Sequence, residues 1–238
     1  MHLRTLLAIA SVAMTSAAHA GLVDLNLHAG YTSLSMGDLN HSNAVFMGWD
    51  GIPYSEDINS GIVVGLDATT ARLTRLPWLD LGLRVETLRS NQAEMKNSPI
   101  GLENDYTDVA SLTSLLVGAK ASAPFLAEGL DLGTGVWLGY GYAELDQHVN
   151  YTLRPPVQSG VFTNEIPVAE WETTLTYALA SRIKVSFTGG WRWADAPKVW
   201  AGKTDLWDAE AWWDHSIQTP VNVDYSGVTC QGSITYAF

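Results

Sequence analysis

Residues 23–32 read VDLNLHAGYT, and their side chains alternate without a break. Val23, Leu25, Leu27, Ala29 and Tyr31 fall on one face, and Asp24, Asn26, His28, Gly30 and Thr32 on the other. A period of two marks a β-strand with one apolar face. Sustained over about 9–11 residues, apolar on one face and polar or small on the other, it is the pattern of a strand that crosses a bilayer in a closed barrel.

Seven further segments continue it. Residues 61–73 set Ile62, Val64, Leu66 and Ala68 against Val63, Gly65, Asp67 and Thr69, and residues 78–88 set Leu79, Leu81, Leu83 and Val85 against Asp80, Gly82, Arg84 and Glu86. Residues 108–120 form a fourth segment whose phase is ambiguous. In residues 131–144, Leu132, Val136, Leu138, Tyr140 and Tyr142 alternate with Gly133, Gly135, Trp137, Gly139 and Gly141. Residues 169–179 place Trp171, Leu175 and Tyr177 opposite Glu170 and Glu172; residues 182–193 place Val185, Phe187, Trp191 and Trp193 opposite Lys184 and Arg192. The eighth segment ends the sequence, with Val228, Cys230, Ile234, Tyr236 and Phe238 expected outward.

The connections alternate in length. About 26 residues join the first two segments, and a handful around Pro77 join the next pair. Long stretches follow Arg89, Leu145 and Ala194, and short ones surround Pro124 and Ser181. Four long connections and three short ones predict an all-β, eight-stranded antiparallel, up-and-down transmembrane barrel. Its external loops are then long and its periplasmic turns short. Four such loops are hard to place in a soluble domain. Aromatic residues gather at both strand ends: Tyr31, Tyr140, Trp171 and Trp193 near the long connections, Trp78, Tyr177, Tyr236 and Phe238 near the short ones. Such belts suit rings at the headgroup level. The rival is a secreted, lipocalin-like barrel with its apolar face inward and charge outside; these strands have too little polar surface on their apolar face to suit it.

Residues 1–20 carry Arg4, an apolar stretch from Leu6 to Met14, and Ala18-His19-Ala20. That order predicts a cleaved signal peptide, leaving residues 21–238 as one barrel domain. The apolar part is too short for a spanning helix, which needs about 20 residues. Export together with the barrel pattern predicts a place in the cell outer membrane. The remaining 12 basic and 25 acidic residues argue against nucleic acid as a partner. A single cysteine, Cys230, excludes an internal disulfide.

The final strand, with Ile234, Tyr236 and Phe238 at alternate positions, resembles the ending of proteins inserted by the bacterial outer-membrane assembly machinery. Together with Met36-Gly37-Asp38-Leu39-Asn40 after the first strand, the architecture resembles small outer-membrane barrels of the OmpA-domain, OmpX and OmpW kind. The resemblance implies outer-membrane lipid, lipopolysaccharide and the assembly machinery as partners. It also implies either a structural or surface-binding barrel with a closed lumen, or a narrow porin-like conduit for small or apolar solutes.

Enzymatic readings find little support. Asp214-His215-Ser216 and His148 supply acyl-transfer residue types, but adjacent side chains rarely face a common centre. Gly133-x-Gly135 and Gly139-x-Gly141 lack the strand-then-helix setting of a nucleotide loop. No cofactor or metal is expected. The inward faces instead collect Asp24, Asp67, Asp80, Arg84, Glu86, Glu170, Glu172, Lys184 and Arg192. Unpaired charge in a narrow lumen is costly, so a linked network is expected: Lys184 with Asp24 or Asp80, and Arg84 with Glu86, Glu170 or Glu172. In the last loop, Trp200, Trp207, Trp212 and Trp213 read either as surface-binding anchors or as an extension of the aromatic belt.

Overall fold

Eight strands close on themselves in chain order. The computed structural model describes residues 23–49, 57–70, 76, 78–97, 104–151, 158–197, 201–203, 213–214, 219–220 and 222–238. The expected signal peptide, residues 1–20, lies outside them. The barrel strands are β1 (Asp24–Ser33), β2 (Ser60–Thr70), β3 (Leu79–Ser90), β4 (Asn104–Pro124), β5 (Leu130–Tyr151), β6 (Gln158–Ala180), β7 (Ile183–Trp193) and β8 (Gly227–Tyr236). Each pairs antiparallel with its neighbour, and β1 closes on β8 from Leu25 opposite Tyr236 to Thr32 opposite Thr229. Closure leaves no free edge around the barrel, so the backbone groups of every strand find partners.

The pleat follows the sequence. Even residues of β1 point inward and Leu27 and Tyr31 stand exposed outside; on β2 the exposed residues are Ile62 and Val64. Below the upper aromatic belt the described outward strand positions carry no charged residue; Arg89, exposed beside Ile62, marks the upper margin on β3. Leu27, Ile62, Val117, Phe187 and Ile234 are each about 60% exposed on this outer face. An apolar surface of this extent belongs against lipid or a partner rather than water. It removes the soluble rival, whose apolar face would be inside.

Three features differ from the sequence reading. The ambiguous fourth segment resolves with Asp108, Ala110, Leu112, Ser114 and Leu116 inward. β4, β5 and β6 run for 21, 22 and 23 residues, about twice the 9–11 that cross a bilayer. The expected loop after Leu145 is therefore mostly strand: β5 and β6 stay paired as far as Val149 opposite Gln158. Residues 93–97 and 201–203 pair with the upper parts of β4 and β6, widening this wall. Glu144, Asp146 and His148 take the outward positions there, so the apolar-out pattern of a membrane strand ends while the pairing continues.

The third difference is a helix, α1 (Gly37–Trp49), in the first long connection. Its apolar residues do not gather on one face, so helical periodicity gives no warning of it. Asp38 in its first turn complements the helix dipole. The Asn40 side chain donates to the Ile58 carbonyl at 2.9 Å and accepts from the Ile58 N–H at 3.0 Å, tying the helix to the start of β2. Asn43 donates to Asp108 on β4 at 3.0 Å. Met36, Leu39 and Ile58 are buried in the same apolar cluster as the upper barrel interior.

Candidate functional site

Register, more than any motif, assembles the lumen. Asp67 on β2 lies directly opposite Arg84 on β3, and Glu170 on β6 directly opposite Arg192 on β7. The two arginines then reach across the bore. Arg84 donates to Asp67 at 2.8 Å, to Glu170 at 2.9 Å and to Glu172 at 2.9 Å. Arg192 donates to Glu170 at 2.6 Å and to Glu86 on the far wall. Glu170 is thus shared by both cations. His28 stands between Asp67, 3.4 Å away, and Glu86, 3.7 Å away. Asn26 donates to Asp67 and accepts from Thr235, both at 2.9 Å, which anchors the layer to the closing strand.

Every member of this layer is buried, and the pairing is what allows it. A lone buried ion costs several kcal/mol, and charge-assisted contacts to both arginines offset that. Trp137 on β5, 1% exposed, lies under the Arg84 guanidinium, whose central carbon is 4.1 Å from the ring centroid. That is a cation–π contact out of reach of water. Room for the indole comes from glycine: a Cβ at Gly82 would stand 2.7 Å from Trp137, and one at Gly118 would overlap it. Gly65 likewise leaves space for the His28 ring.

The sequence-predicted residues divide into two groups. Asp67, Arg84, Glu86, Glu170, Glu172 and Arg192 meet in the ionic layer. Arg84 pairs with Glu170 and Glu172 but not with Glu86, which belongs to Arg192 and His28. Alternation assigns Glu86 a face; only the register assigns it a partner. Asp24, Asp80 and Lys184 lie apart, lining a polar cavity at the short-turn end together with Lys120 and Asp131. The sequence pattern does not single out His28, Lys120 or the indole under Arg84 as network members. Their inward phase is readable for β1 and β5, whereas their depth is not.

Above the ionic layer the lumen is apolar. Leu88, Leu112, Phe162, Ile166 and Val168 point inward there and are essentially inaccessible, while Leu116 is buried beside the layer, directly opposite Arg84. Tyr225 crosses this region from the β8 side, and its hydroxyl donates to the Glu144 carbonyl on β5 at 3.1 Å. The bore is therefore stopped twice, by ion pairs and then by hydrocarbon. Of the last-loop tryptophans, Trp200, Trp207 and Trp212 lie outside the described residues; the backbone of Trp213 pairs with Pro220 in a two-residue ladder. Ile234, Tyr236 and Phe238 face outward on the belt, with Tyr236 and Phe238 packed edge to face at 4.9 Å.

No protein-family model matches the chain, and no curated protein does. Solved structures similar to it include Neisserial surface protein A, at 11% identity and a TM-score of 0.42, covering 92% of this chain and 97% of that one. Ail, the attachment invasion locus protein of Yersinia pestis, is 10% identical with a TM-score of 0.39, covering 90% and 99%. A major outer membrane protein from Thermus thermophilus is 8% identical with a TM-score of 0.43, covering 90% and 99%.

Proposed function

We propose that the protein is a closed outer-membrane barrel that acts at the cell surface through the tall wall built by β4, β5 and β6. The observation that carries this reading is the doubly stopped lumen beneath a wall about twice the height of a bilayer crossing. An eight-stranded barrel is only just wide enough for side chains to fill it, and here they do. The apolar outer belt and the aromatic rings at its two margins support membrane residence; the alternation of long and short connections supports the orientation, with the long connections outside. In this reading residues 1–20 are removed on export. Ile234, Tyr236 and Phe238 form the strand that the assembly machinery engages, and lipid and lipopolysaccharide surround the belt.

Purified protein in a planar bilayer is expected to show no steady ion conductance. A large, stable, cation-selective current would overturn the closed reading and recast the carboxylates as a selectivity lining for a narrow solute conduit. Orientation has its own check. Protease added to intact cells is expected to cut near Asn59, Ser98, Gln158 and Ala209 and to spare the turns near Arg75 and Ser181. Cuts confined to those turns would reverse the topology.

A further inference from the structure

Above Trp193 the barrel wall changes partners. β6 and β7 are paired up to Ala169 opposite Trp193, and β6 resumes pairing only at Thr163, opposite Ala201. Pro167 lies in that gap and has no N–H to offer a neighbouring strand. The chain after Trp193 leans the other way. Asp195 and Ala196 pair with Asp224 and Val223, the Tyr225 N–H donates to the Ala194 carbonyl at 2.8 Å, and the Ala194 N–H donates to the Ser226 hydroxyl at 2.9 Å. A seam opens on the outer face of the wall between β6 and this extension.

The seam forms a groove of about 600 Å³. Its walls are Leu138, Tyr140, Pro167 and Trp193, all exposed. Its floor is Val168 and Ala194, both at most 2% exposed, so the groove does not open into the bore. Polar groups, Asp195 and Ser226, occur at one end alone. Tyr140 and Trp193 belong to the upper aromatic belt, and Leu138 continues into the uncharged surface below it.

We propose that this groove holds one acyl chain of an outer-leaflet membrane lipid, with the lipid headgroup beside Asp195 and Ser226. The inference rests on the membrane reading above and deepens it. The groove is continuous with the lipid-facing belt, so hydrocarbon is what reaches it in a bilayer. A chain lying in it gains apolar contact on both sides and below, whereas a chain on the smooth belt gains it on one side only. Polarity confined to one end matches a molecule with a single polar head. The closed floor means that the chain docks on the barrel and does not pass through it.

The test uses the folded barrel in phosphatidylcholine liposomes containing phosphatidylcholine with a photoreactive group on one acyl chain. After irradiation, labelling of residues 138–140 and 167–169 is expected to exceed labelling around Leu27, Ile62 and Ile234 several-fold. Ala169→Trp fills the groove from its edge and is expected to bring the two down to parity; Trp193→Ala removes a wall and gives an independent loss should the first variant fail to fold. Uniform labelling of folded, heat-modifiable barrels overturns the inference while leaving the membrane reading intact. Enrichment with a photoreactive free fatty acid but not with the diacyl lipid overturns the assigned source. Enrichment of barrel-to-barrel crosslinks at the groove assigns it to a second copy instead. Failure of the folded protein to insert at all overturns the membrane reading itself.

Discussion

Arg84→Met is expected to lower the free energy of unfolding in detergent by about 3–5 kcal/mol, the usual cost of breaking a buried ion pair from one side. Arg84 is 3% exposed and satisfies three carboxylates, Asp67, Glu170 and Glu172. Without it, those three and Glu86 are left with Arg192, His28 and, at the cavity, Lys120. A methionine fills the volume, so the loss reports charge rather than cavity. Urea titration, followed by the gel shift between folded and boiled barrel, measures it. Adding Asp67→Leu to the same variant is expected to recover part of the loss, since it removes one stranded carboxylate. Lys184→Met, at the open cavity, is expected to cost less than about 1 kcal/mol, as for a solvated charge. Equal stability of Arg84→Met and the parent protein would show that the ionic layer is not a structural element. Conductance is expected to stay at baseline in the variant, because Leu88, Leu112 and Phe162 still stop the bore above it.

Trp137→Ala carries the second large effect, again about 3–5 kcal/mol. The indole is the largest fully buried side chain among the described residues, and the glycines beside it leave nothing that can move into its place. Cavity cost depends on how far the surroundings collapse, and in a closed barrel the strand count holds the wall at its diameter. The loss therefore belongs at the upper end of that range. Arg84 also loses the ring beneath its guanidinium. Trp137→Phe is expected to recover more than half of the loss by refilling most of the volume. A cost below about 1 kcal/mol for the alanine variant would mean that the wall does relax, contrary to the rigidity argued here.

The strand pattern was legible because a barrel is a local object in sequence. Each strand must put apolar side chains toward lipid at every second position, and VDLNLHAGYT does so before any partner strand is known. The same rule assigned Asp67, Arg84, Glu86, Glu170, Glu172 and Arg192 inward from their own segments alone. It failed for residues 108–120, where Val109, Leu112, Leu115, Leu116 and Val117 supply apolar side chains to both phases: those at even positions point into the lumen, the others face outward.

What the sequence by itself determined is thus the number of strands, the face each residue occupies outside residues 108–120, and the alternation of connection lengths. These follow from pleat and periodicity, which involve only neighbours in the chain. Tertiary structure decided depth. Whether Glu86 meets Arg84 or Arg192, whether His28 stands among carboxylates, and whether hydrocarbon replaces charge above the ionic layer all depend on register between strands. Register shifts a residue along the barrel axis without changing its face when it moves by two, so periodicity is blind to it. The same holds for α1, whose place over the mouth is set by Asn40 and Asn43 reaching Ile58 and Asp108, partners 18 and 65 residues away. The seam beside Trp193 depends equally on long-range pairing: Pro167 marks where one ladder weakens, but only the pairing of Asp195 and Ala196 with residues 223–224 decides that the wall parts there.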